Sequence, residues 1–305
     1  MNEGSRKAII AAFFANLGIA ISKFVGFLIT GSAGLAAESV HSFADTGNQG
    51  LLMLGAKRSA KGRDEEHPFG HERERYFWAF IVALVLFSMG GLFAMYEGIS
   101  KMRHPHETEN MPIAIGILVV AILLESYSLR TALKEVAHVK PPSMSHWKFV
   151  RTAKQPELPT VLLEDVAAEA GLFLALSGVL LSHFTHNPRW DAAGSIGIGV
   201  LLVVVAFVLG VEMKALLIGE TATPENKAAL TLALRSHPHV QEVVYLYTEH
   251  LGPDVLLVAA KVIFDHALPA ADVSRSIDEA EVSMRTAVPI AKIIFIEPDI
   301  ARGPL

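Results

Sequence analysis

Residues 198–211 read IGVLLVVVAFVLGV and carry no charged side chain. Residues 112–125 read PIAIGILVVAILLE and have almost no polar content either. A membrane-spanning helix needs about 20 predominantly apolar residues, because each residue advances the helix by about 1.5 Å. Both stretches lie within apolar blocks of about that length, which predicts helices that span a membrane.

Apolar blocks of this length recur along the chain. They cover about residues 8–30, 34–56, 76–99, 112–133, 159–183 and 192–214. Their number argues against a cleaved signal peptide. Lysine and arginine are concentrated before the first block and after the second, fourth and sixth. The positive-inside rule therefore predicts that both termini are cytoplasmic.

The composition limits the classes of function. Among 305 residues, 51% are hydrophobic and 19% charged, less charge than the roughly 25% of an ordinary globular domain. The absence of cysteine excludes disulfides, thiolate metal sites and thiol catalysis. A net charge of −5 gives no electrostatic basis for binding nucleic acid. The 13 histidines and 31 acidic residues leave nitrogen and oxygen as the strong metal ligands.

The last part of the chain has a different pattern. We predict helices at 223–237 and 267–286 and strands at 243–251, 255–264 and 291–297. The order α-β-β-α-β fits a small α+β domain of ferredoxin-like type. The predicted fold class is an α-helical membrane protein, with six transmembrane helices in residues 1–219 and a cytoplasmic ferredoxin-like domain in 220–305.

Ionisable side chains inside the predicted spanning helices are the first candidates for function, because such groups cost a few kcal/mol or more in a membrane. His41 and Asp45 are four residues apart in the second block and share one helical face. Asp165 and Glu169 have the same spacing in the fifth block, beside Glu164. Two such helices, packed together, could supply three or four nitrogen and oxygen ligands to zinc.

A structural role for these groups is the alternative. Asp45 could form an ion pair with Lys23, and Glu164 could lie at the cytoplasmic interface. One buried acid often has such a role. The combination of His41, Asp45 and Asp165 in predicted spanning helices favours a ligand set instead.

The connection after the second block offers another candidate metal site. Asp64, His67 and His71 lie close together around a Pro-Phe-Gly turn. An acid and two histidines in a tight turn could hold a second, more exposed ion. Histidines in polar loops are usually solvated, so this pattern alone is a weak indication.

Several motifs along the chain form a series. They are Asn16, Lys23 to Gly26, Thr30 to Ser32, Glu38 to Asp45, His67 to His71, Glu97-Gly98 with Pro105, and Asp165 with the small-residue stretch 171–178. With the six blocks and the α-β-β-α-β tail, the series resembles the cation diffusion facilitator family over nearly the whole chain. The resemblance implies a homodimeric exporter of divalent metal, usually zinc, driven by inward proton movement through alternating access at a mid-membrane site.

Carried over position by position, the resemblance places three ligands of the transported ion on His41, Asp45 and Asp165. The fourth position falls on Val161, which cannot bind metal. Glu169, Glu164 or water would then complete the shell, and Glu169 is favoured because it shares the face of Asp165. The preferred ion stays open among Zn²⁺, Mn²⁺, Fe²⁺, Co²⁺ and Cd²⁺, because affinity orders alone do not set selectivity.

The resemblance also assigns roles outside the membrane. Asp64 and His67 fall on ligand positions of a loop metal site, and His71 falls in the neighbouring motif position. Arg73 and Glu220 fall where the family places a charge pair that links the membrane and tail domains. Two solvated surface charges, worth roughly 0–1 kcal/mol, are the alternative for this pair.

The tail departs from the family pattern. Leu246, Lys261 and Phe295 occupy places where family members often have metal-binding histidines. Glu297 and Asp299 are acids near the expected place. We therefore expect the tail to fold and dimerise with little or no help from metal.

Three functions are compatible with these features. The favoured one is proton-coupled efflux of a divalent ion, Zn²⁺ before the others, with no organic cofactor and no nucleic-acid partner. A membrane metalloenzyme would need a substrate cleft and a general base, for which no motif is present. A non-transporting metal sensor or scaffold is the remaining alternative, because of Val161. The expected location is a bacterial cytoplasmic membrane.

Overall fold

The computed structural model describes the backbone of residues 3–300 and the side chains from residue 16 to residue 300. The chain divides into two compact units. One comprises residues up to 57 together with 77–214, and the other comprises 58–76 together with residues from 215 onward. The loop after the second apolar block thus belongs to the same unit as the predicted tail domain.

The first unit is built from long helices, in the positions of the predicted apolar blocks. They are α1 (Glu3–Thr30), α2 (Ala33–Ser59), α3 (Glu74–Val85), α4 (Phe93–Arg103), α5 (Met111–Val139), the short α6 (His146–Thr152), α7 (Glu157–Thr185) and α8 (Arg189–Ile218). A π-helical segment, Leu86–Leu92, joins α3 to α4. Their apolar core includes Leu86, Leu118, Leu172, Ile198 and Leu202.

Four helical stretches of the described residues are long and apolar enough to cross a membrane. They are Glu74–Arg103, Met111–Val139, Glu157–Thr185 and Arg189–Ile218. The described part of α1 is apolar but shorter, Asn16–Thr30. Helix α2 has 27 residues, but Glu38, His41 and Asp45 lower its hydropathy. The fold class agrees with the prediction, since long apolar helices are followed by a small three-stranded domain, and Glu38 and His41 of α2 are buried inside the helical unit.

The third predicted block is not one regular α-helix. Its π-helical segment contains Gly90 and Gly91, where the chain approaches α8 closely. A Cβ atom at Gly91 would lie 2.8 Å from Cγ2 of Val203, and one at Gly199 would lie 2.7 Å from the backbone nitrogen of Met95. Only glycine fits at both contacts. π-helical turns inside α-helices are frequent at functional sites.

The N-terminus of α2 is capped by a residue of α8. Asp191 accepts hydrogen bonds from the backbone N–H of Ala33 at 2.8 Å and from the hydroxyl of Ser32 at 2.9 Å. The ammonium of Lys101 on α4 donates to the same carboxylate at 2.7 Å. Both charged side chains are completely buried. This ion pair joins three helices at one end of the unit and satisfies N–H groups that a helix N-terminus leaves without partners.

The second unit has the predicted α-β-β-α-β order. Its elements are α9 (Pro224–Arg235), β1 (Val240–Gly252), β2 (Val255–Phe264), α10 (Ala270–Ala287) and β3 (Ile293–Asp299). The sheet order is β1-β2-β3, with β1 antiparallel and β3 parallel to β2. Thr223 caps α9 by accepting from the N–H of Asn226, and Pro224 occupies the first turn. Residues of both helices and of the strands form one apolar core.

Candidate metal centre

A small cavity of about 30 Å³ lies among α1, α2, α5 and α7. Its acidic lining residues are Asp45, Glu125, Glu164 and Asp165. A site needs roughly 10–15 Å³ of such volume to hold one water molecule, so the cavity is of the right size for an ion or a water. The structure therefore brings Asp45 and Asp165 together, with Glu164 beside them, and adds Glu125 from α5.

Close packing of α2 on α7 forms this cavity. A Cβ atom at Gly34 would lie 2.9 Å from Cβ of Ala175, and one at Gly171 would lie 2.3 Å from Oε1 of Glu38. A side chain at Gly34 would therefore push the two helices apart, whereas one at Gly171 would displace the carboxylate of Glu38. This close approach places carboxylates from both helices at one cavity in the interior of the unit.

Hydrogen bonds orient two of the carboxylates. The amide of Asn48 on α2 donates to Oε1 of Glu164 at 2.7 Å. The hydroxyl of Ser128 on α5 donates to Oδ2 of Asp165 at 3.1 Å. Val161 also lines the cavity. The position at which the resemblance expects a ligand is thus an apolar wall.

His41 lies beside the cavity rather than on its lining. Its Nδ1 is 3.4 Å from Oδ1 of Asp45, so the predicted pair does share one helical face. A Cβ atom at Gly90 would lie 4.0 Å from the same nitrogen, which places the ring next to the π-helical segment. The side chain is completely buried, and neither ring nitrogen has a hydrogen-bond partner among the described residues. Because buried polar atoms are nearly always hydrogen-bonded, these nitrogens are available to a ligand.

Glu169, which the sequence favours as the replacement ligand, is not among the cavity-lining residues. Its Oε1 accepts a hydrogen bond from the hydroxyl of Ser126 at 2.7 Å. Glu125 lines the cavity instead, and the motif pattern does not indicate it. The available signal is its position at the end of the apolar run 112–125, because an ionisable residue in a spanning helix is a functional candidate by default.

Lys23 on α1 is completely buried next to these acids. Its ammonium donates to the hydroxyl of Ser42 at 2.8 Å and to Oε2 of Glu38 at 3.2 Å. It lies 3.6 Å from Oε1 of Glu125. The structural alternative, in which Asp45 pairs with Lys23, is therefore wrong: Lys23 pairs with Glu38 and Glu125.

The acids in this part of the helical unit outnumber the bases that contact them. They are Glu38, Asp45, Glu125, Glu164 and Asp165, and Lys23 is the ammonium in contact with two of them. Burying an uncompensated charge costs several kcal/mol even after relaxation. The cluster must therefore take up protons or a cation, and a dication compensates two charges at once.

The loop 58–76 holds the second predicted cluster, and its members are close together. Nδ1 of His67 is 3.1 Å from Oδ1 of Asp64, and Nε2 of His71 is 3.5 Å from Oδ2. One ligand atom from each residue lies within 4.8 Å of the others, the only such group of three found in the described part of the chain. The ammonium of Lys61 donates to Asp64 and holds the pKa of that carboxyl well below its usual range. An ionised carboxylate and two imidazoles suit Zn²⁺.

Arg73 forms its contacts within the second unit. Its guanidinium pairs with the carboxylate of Glu249 on β1 and donates to the carbonyl oxygen of Leu217 at 3.1 Å. The neighbouring Arg75 is 3.1 Å from Asp254. The pair of Arg73 with Glu220 stays a prediction.

The acids near the family's tail metal positions contact a lysine. Nζ of Lys261 lies 3.0 Å from Oε1 of Glu297 and 3.6 Å from Oδ2 of Asp299. The hydrogen bond from Lys261 lowers the pKa of Glu297. A metal at this place would have to compete with that ammonium.

Comparison with known proteins agrees with this architecture. Residues 9–218 match the family model described as cation efflux transmembrane domain. The chain is 34% identical over 265 residues to the human protein named proton-coupled zinc antiporter SLC30A9, mitochondrial. The aligned region covers 86% of this chain and 46% of that protein. It is 29% identical over 265 residues to metal tolerance protein C4 of Arabidopsis thaliana, covering 87% of this chain and 58% of that one.

A bacterial relative matches over more of its length. The chain is 25% identical over 293 residues to the cation-efflux pump FieF of Shigella boydii, covering 95% of this chain and 91% of the relative. By contrast, the chain spans about half the length of the SLC30A9 proteins that it matches. With six helical blocks, a match over residues 9–218 and a three-stranded tail domain, the chain is an integral membrane protein of the cation efflux family, the cation diffusion facilitators.

Proposed function

We propose that this protein exports a divalent metal ion, Zn²⁺ before the others, in exchange for protons. The observation that carries the proposal is the cavity between helices that carboxylates of α2, α5 and α7 line. Membership of the cation efflux family supports the transport of a metal cation. The human relative is named a proton-coupled zinc antiporter, which supports the choice of zinc as the ion and of the proton as the counter-ion.

Charge balance couples the two ions. Carboxylates bind a metal in their ionised form and imidazole in its neutral form, so metal binding releases protons from the ligands. Asp45 and Asp165 face one cavity and would hold the ion, with His41 beside them as the nitrogen donor. After the ion leaves, the same buried acids need protons, because their charges are not balanced by bases. Rigid-body rocking of helices would open the cavity to each side in turn.

The remaining parts of the proposal concern assembly and orientation. The distribution of lysine and arginine favours cytoplasmic termini, and we propose a bacterial cytoplasmic membrane as the location. We propose a homodimer in which the second unit provides the contact between tails. Both statements extend the family resemblance to this chain.

A non-transporting metal sensor is the second candidate, and Val161 is the observation that favours it. The side chain presents a hydrocarbon wall to the cavity where the family has a ligand.

The identity of the exported ion has an alternative as well. Oxygen-rich ligation also suits Mn²⁺ and other hard ions.

Flux of metal in proteoliposomes separates these functions. Purified full-length protein is reconstituted with a zinc indicator in the lumen, and an imposed pH gradient is directed against the expected metal movement. We expect Zn²⁺ uptake that increases with the gradient and is absent from protein-free liposomes. Zinc binding without any flux would refute the transport proposal and support the sensor.

The loop site gives a prediction about metal stoichiometry. We expect the purified protein to bind two Zn²⁺ per chain, one in the cavity and one at the loop cluster. The double variant His67→Ala/His71→Ala should bind one, because two of three loop ligands are lost, and should keep most of the flux. Equilibrium dialysis followed by metal analysis measures the count. An unchanged count in this variant would show that the loop holds no ion.

A further inference from the structure

We infer that Glu125 of α5 is a ligand of the transported ion and supplies the donor that Val161 does not. This inference rests on the proposed function, because it names a residue of the same site. It adds a third helix to the ligand set, which the resemblance draws from α2 and α7 only.

The position of Glu125 carries the inference. Its carboxylate lines the same cavity as Asp45 and Asp165, and its side chain is 16% exposed. Val161 lines that cavity too. The side chain of Val161 and the carboxylate of Glu125 therefore border the same cavity. A metal ligand that α7 lacks at Val161 can thus be supplied by Glu125 of α5.

Each competing acid has one oxygen in a hydrogen bond, and the other oxygen of Glu169 is buried without a partner among the described residues. One oxygen of Glu164 accepts from the amide of Asn48 at 2.7 Å. Glu169 accepts from Ser126 and lies outside the cavity lining. Glu125, by contrast, accepts no hydrogen bond from any of the described residues, since the ammonium of Lys23 lies 3.6 Å away. Its Oε1 therefore faces the ammonium of Lys23 through an ion pair only, which leaves the carboxylate able to approach an ion in the cavity.

Lys23 positions this carboxylate. Its ammonium is fixed by Ser42 and Glu38 at 2.8 and 3.2 Å, and it attracts Glu125 without using up an oxygen in a short hydrogen bond. One ammonium shared between two acids leaves the cavity anionic. On binding an ion, the cavity would supply oxygen donors from Asp45, Glu125 and Asp165, a donor set that accepts Zn²⁺ and harder divalent ions such as Mn²⁺.

The first test measures zinc affinity by calorimetry on full-length protein. The protein carries His67→Ala/His71→Ala, so that the measured zinc binding comes from the cavity and not from the loop cluster. Glu125→Gln should weaken Zn²⁺ binding by about tenfold or more, since loss even of groups that support a ligand costs 10–100-fold. Glu169→Gln is the matched control and should change the affinity by less than about twofold. Equal effects of the two variants, or a larger effect of Glu169→Gln, would overturn the inference.

The second test uses the absence of cysteine from the chain. Glu125→Cys introduces a single thiolate, a soft ligand that favours Cd²⁺. Adding Cd²⁺ should produce the ultraviolet charge-transfer absorption of a cadmium–thiolate bond, and Asp45→Asn in the same chain should weaken that absorption. Glu169→Cys should produce none in the cavity. Absence of the band from folded Glu125→Cys protein that still binds Zn²⁺ would refute ligation by this residue.

The two levels of the proposal fail differently. If the parent protein binds no metal in the cavity and transports none, the proposed function fails. If the parent transports Zn²⁺ and Asp45→Asn abolishes transport, but the Glu125 variants behave like the Glu169 variants, only the inference fails.

Discussion

Asp45→Asn is expected to reduce proton-driven Zn²⁺ flux by about 100-fold or more. Asp45 is the acidic residue of α2 that lines the cavity with Asp165, and its Oδ1 lies 3.4 Å from Nδ1 of His41. An amide has nearly the same shape as the carboxylate but carries no charge, so it binds Zn²⁺ poorly and cannot exchange a proton for it. The measurement is the initial rate of zinc uptake into proteoliposomes that contain equal amounts of protein.

A matched control keeps this prediction specific. Glu135→Gln removes an exposed acid near the end of α5, outside the cavity, and should leave the rate within about twofold of the parent. Asp165→Asn should resemble Asp45→Asn, because the two aspartates face one cavity. Parent-like flux in both aspartate variants would remove the cavity from the transport path.

Asp191→Ala is expected to lower the free energy of unfolding by about 3–5 kcal/mol, the usual cost of breaking a buried ion pair by removing one partner. The variant leaves the ammonium of Lys101 buried without its carboxylate. It also removes the acceptor from the first N–H groups of α2, and loss of a helix cap alone costs about 1 kcal/mol. Denaturant unfolding of the purified protein in detergent, followed by fluorescence, measures the change.

The comparison variant is Asp254→Ala, which breaks the surface pair with Arg75. Exposed pairs contribute roughly 0–1 kcal/mol, so this variant should unfold close to the parent. The double variant Lys101→Met/Asp191→Leu should recover part of the lost stability, because it leaves no unpaired charge. Equal stability of Asp191→Ala and Asp254→Ala would show that the buried pair does not stabilise the fold.

The architecture follows from local sequence features. Apolar runs of about 20 residues predict the long helices, and alternation around the turn at Gly252 predicts the two-stranded hairpin of the tail. The π-helical segment and the cap by Asp191 are not predictable in this way. Both depend on contacts between helices far apart in sequence: Gly91 with Val203, and Asp191 with Ala33.

Helical spacing predicts those parts of the candidate site in which two residues lie four positions apart on one helix. Spacing of four places His41 next to Asp45, and the structure agrees. The same rule favours Glu169 beside Asp165. Only part of that helical face borders the cavity, however, and Glu169 lies outside the lining, where it accepts a hydrogen bond from Ser126. Glu125 has no ionisable residue three or four positions away on α5, so helical spacing does not indicate it, and its place in the site depends on the packing of α5 against α7.

The most direct test of the central claim is to locate the ion. Full-length protein prepared with ZnCl₂ is examined by diffraction on both sides of the zinc absorption edge, and an anomalous difference map is calculated. We expect a peak in the cavity about 2.0–2.2 Å from carboxylate oxygens of both Asp45 and Asp165. Peaks confined to the loop cluster of Asp64, His67 and His71, with none between α2 and α7, would contradict the account.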